Sequence, residues 1–197
     1  MGGKYVPFVD SQQVLSVQQM DRREFYRRFF GPSNHTFGYR VVWNKLFRRT
    51  EDPKFYFRSN VNGEDIDFLI RNRDNISKVA YVKKPLIYYR VHADSVSHSP
   101  TSIKKVLEDN IQFQKYFDVN DDITPFFIQK AWMEAFAVRH NSLGTNEAKD
   151  VRKLYHVWKA ESRLSRNTST LKLWKRLAII IIDQFPILYN TYLKLRQ

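Results

Sequence analysis

Three short segments hold the side chains whose types and spacing could do chemistry. They are Val42-Trp-Asn-Lys-Leu-Phe-Arg48, Gly63-Glu-Asp-Ile-Asp-Phe68 and Tyr88-Tyr-Arg-Val-His-Ala-Asp-Ser-Val-Ser97. The second offers two adjacent carboxylates, Glu64 and Asp65, groups that can take a proton from a hydroxyl held within hydrogen-bond reach. The third offers an imidazole, His92, able to join oxygen ligands around a cation. Each segment alone also has an ordinary reading. An acidic pair opening a helix compensates the helix dipole. A histidine following a strand is commonly a hydrogen-bonding residue of the framework, and a Trp-Asn-Lys-Leu run is commonly the edge of a strand.

In this order and spacing, the three segments together resemble family-two glycosyltransferases. The pattern is a Trp-x-Lys-Leu-aromatic-basic segment, a Gly-Glu-Asp helix start, then a hairpin ending in Tyr-x-Tyr-Arg-x-His-x-x-Ser-x-Ser, and the resemblance covers roughly residues 15 to 100. It implies a partial GT-A-like unit and an inverting transfer from a nucleotide-sugar donor to a cell-surface glycan or lipid-linked acceptor. It casts Asp65 as the catalytic base, with Glu64 orienting it or touching the acceptor. It places His92 on a divalent metal, Mn²⁺ or Mg²⁺, that neutralises the leaving diphosphate. Arg90, Ser95 and Ser97 fall on a loop over that diphosphate, and Trp43 and Lys45 line the donor–acceptor cleft. The family's nucleotide-binding half, with its Asp-x-Asp motif, finds no counterpart before Trp43, where Val9-Asp10-Ser11 is the nearest acidic spot. The expectation is a truncated acceptor side, inactive alone and unable to hold the metal tightly by itself.

The elements that must position these residues can be read from pattern. Ser16-Val-Gln-Gln19 reads as a capping box opening a helix with Met20, Phe25 and Phe29, closed by the turn chemistry of Gly31-Pro-Ser-Asn34. Asn62-Gly63 reads as a turn before a helix over Glu64 to Arg73, with Ile66, Leu69 and Ile70 on one face. Lys78 to Arg90 reads as two strands, Val79–Val82 and Leu86–Tyr89, joined tightly through Lys83-Lys-Pro85. Asp94 to Ser102 reads as a loop. Beyond it the spacing is helical: one helix from Ile103 through Ile111, a second over Thr124 to Asn141, and a third carrying Val151, Leu154, Tyr155 and Trp158. The last helix runs from Leu171 to the end, kinked at Pro186. The expected class is α+β, with residues 1–100 as the acceptor-side unit and 101–197 as a helical, basic region.

Composition narrows the partners. With 43% hydrophobic and 15% aromatic residues the 197-residue chain is globular. It has no cysteine, which excludes disulfides, thiolate catalysis and cysteine-held zinc. Thirty-three basic residues against 20 acidic ones leave +13, favouring an anionic partner. From Lys149 to Gln197 the count is 11 basic and 3 acidic, so 11 − 3 = +8 of that excess lies there. The apolar run Leu177 to Leu193 is interrupted by Asp183 and Pro186 and falls short of the ~20 clean residues of a spanning helix. Residues 171–197 are therefore expected to lie at an anionic membrane surface, with Lys172, Lys175 and Arg176 near the headgroups; a core-facing or oligomer-forming helix is the alternative. Met1 to Asp10 shows no secretory pattern, so the expected place is cytoplasmic, peripheral at the inner face of the membrane. A non-catalytic, basic membrane-surface or partner-binding module is the competing function. Nucleic acid is disfavoured, since no RNP, helix-turn-helix or zinc signature accompanies the charge.

Overall fold

The computed structural model describes residues 17–31, 37–48, 50–58, 63–82 and 103–194. The chain is α+β, mostly helical, with one two-stranded antiparallel sheet among the described residues. It divides into two compact units, one of Met1–Phe25 with Gly38–Thr101, the other of Tyr26–Phe37 with Ser102–Gln197.

In the first unit, strand β1 (Val17–Asp21) pairs with β2 (Lys78–Val82), Val17 opposite Val82 and Asp21 opposite Lys78. The helix expected to open at the Ser16 capping box instead opens five residues later, as α1 (Arg22–Phe29). Asp21 wins because its carboxylate accepts the Glu24 N–H at 2.7 Å, satisfying one of the first-turn amides that a helix leaves unpaired. Val17 to Asp21 is thereby left free to join the sheet. The expected hairpin partner Leu86–Tyr89 lies outside the described residues, as do Ser16, the 32–34 turn, Asn62 and the Asp94–Ser102 loop.

The Trp43 run is a turn and not the strand edge that was its ordinary reading. A short helix α2 (Phe37–Arg40) precedes it, and the Lys45 N–H donates to the Val42 carbonyl at 3.0 Å. Helix α3 (Glu64–Arg71) follows, closing into a 3₁₀ turn at Arg73–Asn75. Phe68 on its buried face gathers Phe57 at 4.6 Å, Phe55 at 5.1 Å and Phe47 at 5.4 Å between ring centroids. Aromatic pairs of this kind each add about 0.5–1.5 kcal/mol beyond their burial. They hold the 47–57 segment against α3.

The second unit is built around α5 (Thr124–Asn141). Pro125 in its first turn costs no hydrogen bond, because the amide it removes would be unpaired there. Phe127, Ile128, Ala131, Trp132, Ala135 and Phe136 recur at three- and four-residue spacing and are all buried. Fully burying one of the larger side chains contributes about 1.5–3 kcal/mol. Around this stripe pack α4 (Ile103–Phe113), α6 (Ala148–Glu161), a four-residue α7 (Arg163–Arg166), α8 (Leu173–Gln184) and α9 (Tyr189–Lys194). Tyr26, Phe29 and Phe30 belong to this core, with Phe30 5.9 Å from both Phe117 and Phe127.

The last helix is not one kinked rod. It breaks at Phe185, whose backbone (φ −124°, ψ 79°) has left the helical region that the following proline disfavours, and it resumes through a 3₁₀ turn at Pro186–Leu188. No described helix is long and apolar enough to cross a membrane.

Candidate active site

The site grows from one backbone conformation. Gly63 sits at φ 84°, ψ 35°, the left-handed region where a Cβ is strained, and its carbonyl accepts the N–H groups of Ile66 at 3.1 Å and Asp67 at 3.0 Å. This starts α3 so that Glu64 points to solvent while Asp65 is half-buried and Asp67 is buried.

Asp65 reaches back across the chain. Its Oδ2 accepts the Val42 N–H at 3.2 Å, so two of the three sequence segments meet at a single hydrogen bond. Its Oδ1 has no hydrogen-bond partner among the described residues. Burial pushes the Asp65 carboxyl above its ordinary value, against the Val42 N–H; the Glu64 charge adds to the rise, and the Lys45 ammonium opposes it. The arrangement therefore offers a carboxylate of raised proton affinity with one oxygen available to a hydroxyl.

Lys45 is engaged within its own segment and with the end of α2. Its ammonium donates to the Gly38 carbonyl at 2.7 Å, to Asn44 Oδ1 at 2.9 Å and to the Val41 carbonyl. The Asn44 amide adds a donation to the Gly38 carbonyl at 3.0 Å. Three acceptors account for all three ammonium hydrogens, and the lysine ties the end of α2 to the Val42 turn, where carbonyls would otherwise lack donors. Burial holds this amine down at about 8, with Asp65 pulling it upward. Trp43, at the tip of the same turn, is 44% exposed.

No protein-family model, curated protein or solved structure matches this chain. The site is thus described by its own geometry.

Sequence reasoning passed over Asp67, the acid that organises the site's support. It is 1% exposed and takes the guanidinium of Arg71, four residues on, at 2.8 Å; Arg58 Nε donates to it at 3.0 Å and Arg58 Nη2 pairs with its other oxygen. Arg71 in turn donates to the carbonyls of Lys54 at 2.8 Å and Tyr56 at 2.7 Å, and stands 5.2 Å from the Tyr56 ring centroid. Asn72 adds a donation to the Lys54 carbonyl at 3.0 Å. The clamp fastens residues 54–58 onto α3. Its signal in the sequence was the Asp67/Arg71 spacing, which puts both on one helix face.

Arg90, His92, Ser95 and Ser97 lie outside the described residues. Among the described residues, no group of three histidine, aspartate or glutamate side chains is assembled to hold a metal ion.

Proposed function

We propose that this chain carries the acceptor side of an inverting, GT-A type family-two glycosyltransferase, with Asp65 as the base. What supports the reading is the meeting of the Val42–Arg48 and Gly63–Phe68 segments at Asp65, whose Oδ2 takes the Val42 N–H while Oδ1 has no hydrogen-bond partner among the described residues. In the reaction, Oδ1 takes the proton of an acceptor hydroxyl as that oxygen forms a bond to the anomeric carbon. The bond from that carbon to the diphosphate breaks on the opposite side, the electron pair leaves with the nucleoside diphosphate, and the configuration inverts. Burial raises the proton affinity of Asp65, which makes it the stronger base for this step. Glu64, exposed and adjacent in sequence, meets the acceptor in this reading. Lys45 contributes by fixing the turn that carries Val42 and Trp43, since its ammonium is spent on Gly38, Val41 and Asn44. A divalent cation, Mn²⁺ or Mg²⁺, belongs to this reading as charge compensation for the departing diphosphate.

The test is release of nucleoside diphosphate from nucleotide sugars by the chain supplied with a nucleotide-binding half, with and without acceptor. Asp65→Asn keeps the shape and an acceptor for Val42 but removes the basic oxygen. It should lower transfer by about 10²–10⁴-fold, the usual contribution of a positioned base. Turnover undiminished in that variant would sink the assignment.

A further inference from the structure

Helix α8 is apolar on two opposite faces, and among the described residues only one of them is packed. On the inner face Ile179 and Ile182 are 9% and 4% exposed and share a narrow crevice with Met133 and Phe136 of α5. Asp183 locks this rotation: it accepts the Tyr155 hydroxyl at 2.6 Å and the Lys159 ammonium at 2.6 Å, and lies 3.8 Å from the Arg139 guanidinium. The opposite face carries Leu173, Leu177, Ile180 and Ile181 at helical spacing, with exposures of 68%, 50%, 58% and 49%. Trp174 borders it at 57%, and beyond the break Ile187 is also exposed, at 82%. Single exposed apolar residues need no explanation, but a contiguous strip of this kind marks an interaction surface.

The charge around the strip decides what it meets. From Ser162 to Gln197 there are seven basic residues and one acidic residue, Asp183. That one carboxylate is spent inside the fold on Lys159, Arg139 and Tyr155, so the outside of this region carries cations without a compensating acid of its own. Lys172 and Arg176 are exposed at the start and along the edge of the helix, and the Lys175 ammonium stands 5.5 Å from the Trp174 ring centroid. A 12-residue helix is about 18 Å long, too short to span a bilayer and suited to lie along one.

We propose that the outer face of α8 docks on an anionic membrane surface, with Leu177 and Ile180 entering the headgroup boundary and Lys172 and Arg176 meeting lipid phosphates. The pairing of an apolar strip, a bordering tryptophan and flanking cations is that of a helix lying in the interface plane. It stands independently of the glycosyl-transfer reading.

The full chain should sediment with vesicles containing about one third phosphatidylglycerol and not with pure phosphatidylcholine vesicles. Raising ionic strength from about 0.05 M to about 0.5 M, which shortens the Debye length to a few ångström, should release most of it. Leu177→Gln with Ile180→Gln, and separately Lys172→Glu with Arg176→Glu, should each lower the partition coefficient about tenfold or more. Reversing the same number of charges at Lys115 and Lys153, on other elements, should change it less than about twofold. A blue shift of tryptophan emission on vesicle binding should vanish in Trp174→Phe. Because all these side chains are exposed, the variants should melt with the parent. The proposal is overturned by failure to bind anionic vesicles at low salt, or by equal losses in the Lys115/Lys153 control. Self-association that Leu177→Gln with Ile180→Gln abolishes, without vesicle binding, would instead place a second copy of the chain on this face.

Discussion

Lys45 and Asp67 show how much of the site is held by charges buried in the service of backbone geometry. The Lys45 amine is held at about 8, against 10.5 in the unfolded chain, so between those values the unfolded state binds more protons than the folded one. Folding stability should therefore climb as pH rises through that window, because stability grows with pH wherever the unfolded chain holds the extra proton. Lys45→Met should flatten this part of the melting-temperature profile, measured from about pH 7.5 to about pH 9.5, when compared with the parent. Asp67 has the opposite character, a carboxylate enclosed by two guanidinium groups. Asp67→Ala leaves Arg71 buried without its counter-charge and should cost about 3–5 kcal/mol in urea unfolding. Part of that loss should return when Arg71→Met is added, since the orphaned cation goes with it. The roles of these two residues differed in how readable they were. The four-residue spacing of Asp67 and Arg71 was visible in the sequence, whereas the three acceptors of Lys45 exist only once α2 and the Val42 turn have folded against each other. The positions of Glu64 and Asp65 at a helix start were legible because a glycine followed at once by acidic residues, three of them in the first turn, is a local signal.

At the scale of the element, local signals succeeded where the partner lay nearby in sequence. The bounds of α5 follow from Thr124-Pro125 at one end and Gly144, at φ 77°, just past the other. β1 was missed because its partner, β2, begins 57 residues after it ends (78 − 21), and a run such as Val-Gln-Gln-Met has no strand signature until that partner is known. The capping box at Ser16 was a decoy of the same local kind, defeated by the better-placed Asp21. α7 and the 3₁₀ turns are too short to leave a period. The break before Pro186 was foreseeable as a kink, but the decisive residue in that region is Asp183, an acid inside an apolar run that reads as an interruption and acts as an anchor. Its ties to Tyr155 and Lys159 place charge-assisted hydrogen bonds at the α6–α8 seam, and burial beside this carboxylate pushes the Tyr155 hydroxyl above its ordinary value. Asp183→Asn should destabilise the chain by about 1.5–3 kcal/mol. Hydrogen exchange should speed up first in the amides of α8; acceleration that is equal in α8 and along the whole of α5 would contradict the anchoring role.

For the molecule as a whole, composition and periodicity read the class well: a first part of mixed structure, a helical second part, and a basic excess concentrated toward the C-terminus. They did not show that Tyr26 to Phe37 groups with the helical unit, because that depends on aromatic contacts between residues nearly ninety positions apart, such as Phe30 with Phe117. The Asp183 anchor also has a practical side. Removing residues 171–197 looks like a clean way to separate a membrane-facing tail from the rest. Yet that cut would strip the carboxylate from Lys159 and Arg139, leave the Tyr155 hydroxyl without its acceptor, and bare the apolar side of α5 against which Ile179 and Ile182 rest. A shortened chain would be a damaged bundle carrying new sticky surface, and its behaviour toward lipid would report that damage. The tail is better interrogated by repainting its outward side chains than by shears.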